Sequence, residues 1–273
     1  MKQTVLLTGA SSGIGRATAR LLAARGYRVY GAARHTEAME DLRQAGVIPL
    51  SMDLTDERSM DEGVRWILGR EGRIDILINN AGFGFYGTVE DVPLGEARRQ
   101  MEVNLFGPAR LIQLVLPGMR AQRSGRILNI SSIGGKMATP LGGWYHASKF
   151  ALEGLSDSLR LEVRALGIDV VLIEPGGIKT QWAPTALENL RKSASGSAYG
   201  PLITQAARWL ERFGQRSSDP EIIASLIARV LTRRHPRARY SRGHMARLTL
   251  WGRRWLGDRL FDRILLRQLG IKQ

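Results

Sequence analysis

Residues 4–25 read TVLLTGASSGIGRATARLLAAR, and this stretch decides the predicted fold. Residues 4–7 form a short apolar run, residues 8–15 are rich in glycine, and residues 16–25 carry apolar side chains at helical spacing. The order strand, glycine-rich turn, helix aims the N-terminus of a helix at a phosphate group. Glycines there permit a tight bend and let a pyrophosphate approach the backbone closely. The stretch predicts a dinucleotide-binding unit, and a loop that only turns the chain is the alternative.

The same alternation of strand and helix continues through the next 150 residues. We predict strands at residues 28–32, 47–51, 74–78, 126–130 and 169–173, helices at 96–123 and 144–166, and a seventh strand that ends at Arg239 and Tyr240. Short strands that are apolar throughout indicate a parallel sheet covered on both faces. The sequence therefore predicts an α/β fold with a single-domain, Rossmann-type, doubly wound parallel sheet over residues 1–240.

Composition limits the possible chemistry. The chain has 273 residues and no cysteine, which excludes disulfides, thiol catalysis and cysteine metal sites, and we predict no metal site of another kind. The first predicted strand begins after three residues, and no run of 18 apolar residues occurs. We therefore expect neither a signal peptide nor a spanning helix, and a cytoplasmic location.

Most of the net charge of +15 lies near the C-terminus. Residues 233–273 hold twelve Lys or Arg against two Asp, a net charge of +10. We predict a basic amphipathic extension at residues 241–273. It would pack against the enzyme or another subunit, lie on an anionic membrane surface, or contact nucleic acid, which is the least favoured. Its apolar residues are Leu248, Leu250, Trp251, Trp255, Leu256, Leu260, Phe261, Ile264, Leu265 and Leu269.

Three residues between positions 132 and 149 carry candidate catalytic chemistry. Tyr145 and Lys149 are four apart in a predicted helix, so both side chains project from one face. An ammonium beside a phenol favours the phenolate and lowers a pKa that is ordinarily about 10. Ser132 follows a buried-looking strand, where its hydroxyl can bond to a substrate oxygen. These residues are candidates for proton transfer, whereas a solvated Tyr and Lys pair is the alternative.

The end of the second predicted strand bears on cofactor choice. A carboxylate there would bind the hydroxyls of an adenosine ribose, but this chain has Ala33 followed by Arg34. Positive charge and free space suit a 2′-phosphate. The sequence therefore predicts NADP in preference to NAD, with solvated surface charges as the alternative for Arg16 and Arg34.

Other polar residues follow the predicted strands or interrupt a helix. Asp53 would bond the adenine amino group or cap the helix that follows it. Asn80 would bond to neighbouring backbone and to a ribose, and Thr180 to a carboxamide. Asn104 lies amid apolar neighbours in a predicted helix, where asparagine is unfavourable. A structural amide and a part of a proton path are the two interpretations of Asn104.

The pattern loosens at residues 181–218, where Pro184 and residues 193–197 interrupt helical pieces. Long loops in compact domains are usually lids or binding loops, so we expect the substrate cover here. Aromatic and apolar residues near the site suggest a lipophilic carbonyl or alcohol, and packing of the core or of the lid is the alternative. They are Phe83, Phe85, Tyr86, Met137, Trp144, Trp182 and Tyr199.

Together these motifs resemble the short-chain dehydrogenase/reductase family from residue 4 to about 181. The motifs stand in family order: Thr8-Gly9-x-x-x-Gly13-x-Gly15, Asn79-Asn80-Ala81-Gly82, Asn104, Ser132, Tyr145-x-x-x-Lys149 and Pro175-Gly176-x-x-x-Thr180. The segment around Tyr145 is similar to that of hydroxysteroid and retinol dehydrogenases. The resemblance implies an NADP(H)-dependent exchange of carbonyl and alcohol, on a steroid-like or retinoid-like substrate.

The resemblance also implies a role for each residue. Tyr145 would exchange the proton, Ser132 would polarise the carbonyl, Lys149 would bind the nicotinamide ribose, and Asn104 would hold a water linking Lys149 to solvent. The residues that would bind the cofactor are Gly9, Ser11, Gly13, Ile14, Gly15, Arg34, Asp53, Asn80, Tyr145, Lys149 and Thr180.

The alternatives concern activity and assembly. A reductase of acyl-carrier-protein 3-oxoacyl thioesters is one, although such enzymes typically have a shorter C-terminus. A cofactor-sensing regulator without catalysis is another, and the intact Ser132, Tyr145 and Lys149 argue against it. Family members commonly form dimers or tetramers through the two long helices.

Overall fold

Seven parallel strands form the sheet of the computed structural model, which describes residues 2–193 and 197–271. The strands are β1 (Thr4–Thr8), β2 (Arg28–Ala33), β3 (Ile48–Ser51), β4 (Ile76–Asn79), β5 (Gly125–Ile130), β6 (Ile168–Pro175) and β7 (Arg239–Arg242). Their order is β3-β2-β1-β4-β5-β6-β7, so the direction in which strands are added reverses between β1 and β4. Ligands bind beyond the carboxyl ends of strands at such a reversal.

Eleven α-helices of the described residues cover the two faces and the end of this sheet. They are α1 (Gly13–Ala24), α2 (Glu40–Gln44), α3 (Glu57–Glu71), α4 (Leu94–Met101), α5 (Gly107–Ala121), α6 (Gly143–Val163), α7 (Trp182–Ser193), α8 (Gly200–Gln215), α9 (Glu221–Leu231), α10 (Ala246–Trp255) and α11 (Asp258–Leu269). Within the described ranges, no helix is long and apolar enough to cross a membrane.

Both faces of the sheet are buried. On β1, Val5 and Leu7 belong to a cluster completed by α1 and α9, while Leu6 belongs to a second cluster completed by α3, α5 and α6. All three side chains are fully buried. Apolar runs without alternation reflect this two-sided burial. The predicted doubly wound parallel sheet is confirmed, including a last strand that pairs with β6 in parallel.

The helix predicted at residues 96–123 is not continuous. It is divided into α4 and α5 by one π-helical turn, Glu102–Phe106. The buried side chain of Asn104 lies in this turn, and its amide bonds to the backbone of Phe83 and to the Ser148 hydroxyl. A π turn adds one residue to a helix and is frequent at functional sites. The tertiary bonds of Asn104 explain the interruption, which apolar periodicity does not reveal.

The segment predicted to cover the substrate is mostly helical. Helices α7 and α8 pack in an apolar cluster with Tyr86, Leu141 and Tyr145. Residues 194–196, part of the predicted interruption at 193–197, lie outside the described residues. The two helices therefore form a wall over the carboxyl ends of the strands.

Candidate active site

Ser132, Tyr145 and Lys149 converge beyond the carboxyl end of β5. The Ser132 hydroxyl accepts a hydrogen bond from the Gly134 N–H at 3.0 Å and hydrogen-bonds to the Tyr145 phenol. The Lys149 ammonium donates to the Ile130 carbonyl at 2.9 Å. Tyr145 and Lys149 lie one turn apart on α6, as their spacing predicts. The structure thus brings together the three residues that the sequence singled out.

Burial controls the protonation states of Tyr145 and Lys149. Burial raises the pKa of Tyr145 to about 12, although the Ser132 hydrogen bond lowers it. Burial also lowers the pKa of Lys149 to about 8, while the nearby Glu153 raises it. The expectation that Lys149 brings the pKa of Tyr145 towards neutrality is wrong in this structure, because Lys149 bonds Ile130 and desolvation dominates at the phenol. Tyr145 is therefore protonated at neutral pH and available as a proton donor.

His146 fixes the loop that carries Ser132, and the sequence did not reveal this. Its Nε2 accepts from the Thr139 N–H at 3.0 Å, so its Nδ1 donates to the Gly134 carbonyl, also at 3.0 Å. Burial lowers the pKa of His146, which favours the neutral ring that this bonding requires. The only sequence signal was a histidine next to Tyr145, and its partners are set by tertiary structure.

Asn104 connects three parts of the site. Its amide donates to the Phe83 carbonyl at 2.9 Å and to the Ser148 hydroxyl at 3.0 Å, and its oxygen accepts from the Phe83 N–H at 3.1 Å. The Ser148 hydroxyl donates onward to the Tyr145 carbonyl at 2.7 Å. These bonds agree with the interpretation of Asn104 as a structural amide, and its part in a proton path stays a prediction. It lies outside the lining of the cleft but holds the helix that presents Tyr145.

The loop between β1 and α1 forms a cradle for an anion. Gly9 and Gly13 have φ angles of +69° and +51°, which side chains other than glycine rarely adopt. Helix α1 has no side-chain cap at Ser12 and no acid in its first turn, so its positive end is left for a ligand. A Cβ at Gly13 would lie 2.7 Å from the Thr180 methyl group. The cradle therefore fits the pyrophosphate of a dinucleotide, with Thr180 beside it.

Two predicted cofactor residues serve to shape this cradle. A Cβ on Gly15 would lie 2.0 Å from the Gly9 carbonyl oxygen, so Gly15 lets α1 pack against the loop and does not line the cleft. The Asn80 amide donates to the carbonyls of Thr8 and Gly9 at 2.9 and 3.3 Å. Asn80 thus joins β4 to the loop with its amide protons while still lining the cleft.

Arg34 and Arg99 are exposed cations at the adenosine end of the cleft. Arg16 bonds Asp41 at 2.5 Å, which leaves Arg34 exposed and without an ion pair among the described residues. Asp53 accepts from the N–H and hydroxyl of Thr55, and helix α3 is capped by Asp56 instead. The capping interpretation of Asp53 is therefore wrong. Both Arg34 and Asp53 line the cleft.

A cleft of about 1530 Å³ runs from this end past Tyr145 to the C-terminal helices. Beyond Tyr145 many of its lining residues are apolar, with Trp182 packed against the Tyr145 ring at 5.2 Å between centroids, and Lys192, Arg212 and Arg216 add positive charge. Trp144 and Tyr199 do not line it; Tyr199 instead bonds Glu90 at the surface. Predicted aromatic and apolar residues that do line the cleft are Phe83, Phe85, Tyr86, Met137 and Trp182. Further apolar lining comes from Trp209, Phe213, Leu248, Trp251, Phe261 and Ile264.

Behind Lys149 lies a buried charged cluster. Glu153, one turn further along α6, forms ion pairs with Lys136 at 2.9 Å and Arg239 at 3.1 Å. Arg239 also pairs with Glu174, whose pKa burial raises to about 7. The cluster ties α6 to β6 and β7. It also places a carboxylate near the Lys149 ammonium.

A pyrophosphate cradle at the topological switch of a parallel sheet, next to a proton-donating phenol, defines a class of protein. This class is the Rossmann-type, nicotinamide-dependent oxidoreductases. The cofactor of this class supplies hydride chemistry, and the residues of this cleft fit it: an uncapped helix N-terminus for phosphates and a free arginine at the adenosine end.

Comparison with known proteins gives the family. Residues 3–191 match the model of the short chain dehydrogenases. The chain is 36% identical over 262 residues to a 3-ketodihydrosphingosine reductase from Bacteroides thetaiotaomicron, with 95% of each chain covered. It is 32% identical to an NADPH-dependent 3-dehydrocapnine reductase from Ornithobacterium rhinotracheale, covering 97% of this chain and 96% of that one. The chain belongs to the short-chain dehydrogenase family and is an oxidoreductase.

Solved structures agree with this assignment. A short-chain dehydrogenase from Streptomyces avermitilis matches with a TM-score of 0.81 and 33% identity, over 99% of this chain and 96% of that one. A metagenomic short-chain oxidoreductase in complex with NADP matches with a TM-score of 0.71 and 28% identity, over 88% of this chain and 96% of that one.

Proposed function

We propose that this protein reduces a lipophilic ketone to a secondary alcohol with NADPH. The observation that carries the proposal is the place of the protonated Tyr145 phenol. It lies where the dinucleotide cradle meets the apolar part of the cleft, and it is hydrogen-bonded to Ser132. A buried phenol with a pKa of about 12 holds a proton ready for an oxygen that becomes negative.

The proposed mechanism gives each residue of the chain a part. NADPH, when bound, supplies the hydride to the carbonyl carbon. As charge builds on the carbonyl oxygen, hydrogen bonds from Ser132 and Tyr145 strengthen, and this difference between ground and transition state lowers the barrier. Tyr145 then gives up its proton to form the alcohol. Lys149, cationic below its pKa of about 8, would hold the nicotinamide ribose and so position the cofactor beside Tyr145.

The pH dependence of this mechanism depends on Glu153. The rate of ketone reduction should fall as the pH rises through about 8, because Lys149 then loses its charge and the charge-assisted bonds that would hold the nicotinamide ribose. Since the Glu153 carboxylate raises the pKa of Lys149, Glu153→Gln should move the fall to lower pH. The measurement is kcat as a function of pH. Asp157→Asn, which removes another carboxylate paired with Arg239, should leave the midpoint in place; an unshifted midpoint in Glu153→Gln would contradict this role.

The cofactor preference rests on Arg34, which is exposed at the end of β2 and lines the cleft. Arg34→Gln should raise the KM for NADPH roughly 10- to 100-fold, because a charge-assisted bond to the 2′-phosphate is lost. The KM for NADH should change little. Arg25→Gln, an exposed arginine at the far end of α1, is the matched control. Equal effects of Arg34→Gln on both cofactors would remove the basis of the preference.

The substrate class is proposed from the cleft and the relatives. Trp209 and Phe213 stack at 4.8 Å on α8, and apolar lining residues continue to α10 and α11, which suits a long aliphatic chain. Two relatives have names that specify a 3-keto and a 3-dehydro substrate, namely 3-ketodihydrosphingosine and 3-dehydrocapnine. These observations favour a long-chain 3-keto lipid. The steroid-like or retinoid-like substrate stays a prediction, and both substrate classes are compared in the experiment below.

A panel of carbonyl compounds tests the proposal. Oxidation of NADPH and NADH is followed with a long-chain 3-keto amine, a 3-ketosteroid, retinal and a 3-oxoacyl thioester. We expect the highest kcat/KM with the 3-keto amine and NADPH. Consumption of neither cofactor with any compound would instead support a sensing protein without catalysis.

We also propose that the protein assembles through α5 and α6, where the sequence predicted dimer or tetramer contacts. Phe150, Gly154 and Leu161 share one face of α6, and Phe106 is exposed near the start of α5. Such an apolar face is typical of a contact between subunits.

A further inference from the structure

The two C-terminal helices expose large apolar side chains beside the cleft. On α10, Leu248, Trp251 and Trp255 are 60%, 60% and 66% exposed. On α11, Leu260 and Ile264 are 46% and 40% exposed. Their spacings of three, four and seven residues place those on each helix along one face. Because the helices follow each other after a turn at Gly257, the two stripes belong to one C-terminal hairpin, residues 246–269.

Arginines accompany these apolar stripes. Arg253 pairs with Asp258 at 2.6 Å, but the other arginines of the hairpin have no ion pair among the described residues. Arg254 lies over the ring of Trp255, 5.4 Å from its centroid. Exposed Trp and Leu with flanking Arg is the composition of helices that lie in a membrane interface. The exposed, unpaired arginines are Arg247, Arg254, Arg259, Arg263 and Arg267.

The apolar surface of the hairpin continues into the cleft. Leu248, Trp251 and Ile264 are exposed and at the same time line the cleft that leads to Tyr145. Trp255 and Leu260 extend the surface outward without lining the cleft. A lipid that left a bilayer at this hairpin would meet a continuous series of apolar side chains on its way to Tyr145, beside the polar lining of Lys192, Arg212 and Gln268.

Two partners could cover this apolar surface, a second copy of the chain or a lipid bilayer, and the charge of the hairpin favours the bilayer. A second copy docked face to face would bring two hairpins of the same basic sign together, which is unfavourable. An anionic bilayer offers both opposite charge and an apolar interior. With 10 and 12 residues, α10 and α11 are far shorter than the roughly 20 needed to span it.

We propose that the C-terminal hairpin docks on the surface of an anionic lipid bilayer, with the mouth of the cleft facing the lipid. Trp255 and Leu260 insert into the interface, and the unpaired arginines bind lipid phosphates. The docking does not depend on the proposed function. A corollary is that a lipophilic substrate enters the cleft directly from the bilayer, and this corollary rests on the proposed function.

Vesicle co-sedimentation of the full chain tests the docking. We expect binding to vesicles of phosphatidylcholine with phosphatidylglycerol, much weaker binding to phosphatidylcholine alone, and loss of binding in high salt. Arg254→Gln with Arg263→Gln should weaken binding roughly tenfold or more. Trp255→Gln with Leu260→Gln should weaken it at least about fivefold. NADPH binding by both double variants should remain, which shows that they are folded.

The matched control lies on α3, where Arg65 is exposed and Trp66 is 45% exposed. Arg65→Gln with Trp66→Gln should bind vesicles as the wild type does. Equal binding of wild type and hairpin variants, or no binding of the wild type to the anionic vesicles, would overturn the proposal. So would a change in the mass of the assembly in the hairpin variants, because the surface would then be a contact between copies. Turnover of a short soluble ketone without vesicles reports on the proposed function separately.

Discussion

Replacing Tyr145 by phenylalanine is expected to lower kcat for ketone reduction by about 10²- to 10⁴-fold, the usual contribution of a positioned proton donor. The ring contacts with Tyr86 and Trp182, at 6.0 and 5.2 Å, do not involve the hydroxyl. The fold and the cofactor cradle should therefore survive, and the Kd for NADPH should stay within about twofold of the wild type, since little binding energy is lost. Stopped-flow turnover and fluorescence titration of NADPH measure the two effects separately.

Tyr240→Phe is the control for this substitution. It also removes one phenolic hydroxyl. Tyr240 lies on β7, away from the site, and its hydroxyl accepts a hydrogen bond from the Arg237 N–H at 2.9 Å. Its kcat should equal that of the wild type. If Tyr145→Phe kept a turnover close to that of Tyr240→Phe, Tyr145 would not be the proton donor.

Replacing Gly15 by alanine is expected to abolish dinucleotide binding. The added Cβ would lie 2.0 Å from the Gly9 carbonyl oxygen and 2.5 Å from the Asn80 amide nitrogen. One neighbour is backbone and the other is fixed by two hydrogen bonds, so the cradle must open. We expect the Kd for NADPH to rise at least about 100-fold and the free energy of unfolding to fall by roughly 1–3 kcal/mol. Fluorescence titration and thermal unfolding measure these changes.

Gly69→Ala provides the matched comparison. Gly69 lies in α3, and a Cβ there would have nothing within 4 Å. Alanine should leave NADPH binding unchanged and increase stability slightly, because it favours a helix over glycine by about 1 kcal/mol. Wild-type affinity and stability in Gly15→Ala would show that the loop around Gly9 does not require a glycine at this position.

The sequence predicted the sheet because its strands are short, apolar and followed by polar motifs. Gly9 and Gly13 adopt positive φ angles, as their place in a tight turn required. The convergence of Ser132, Tyr145 and Lys149 followed from helix spacing together with the shared carboxyl edge of parallel strands. These features depend on local pattern and on topology, both of which can be read from a sequence.

Features that depend on tertiary contacts were not predictable. The π turn at Asn104 exists because this side chain bonds to Phe83 and Ser148, which are distant in sequence. The raised pKa of Tyr145 reflects burial under α7 and α8, an effect that residue spacing does not convey. The role of Gly15 differs from the expected one for the same reason, since its neighbours lie in other elements.

Hydride transfer into a ketone in this cleft is the central claim, and isotope labelling tests it most directly. The protein is incubated with a long-chain 3-keto amine and NADPH that carries deuterium at the transferable C4 position, and the alcohol is analysed by mass spectrometry. We expect one deuterium on the carbinol carbon in the wild type and almost no alcohol with Tyr145→Phe. Alcohol without deuterium, or equal product from both proteins, would contradict the account.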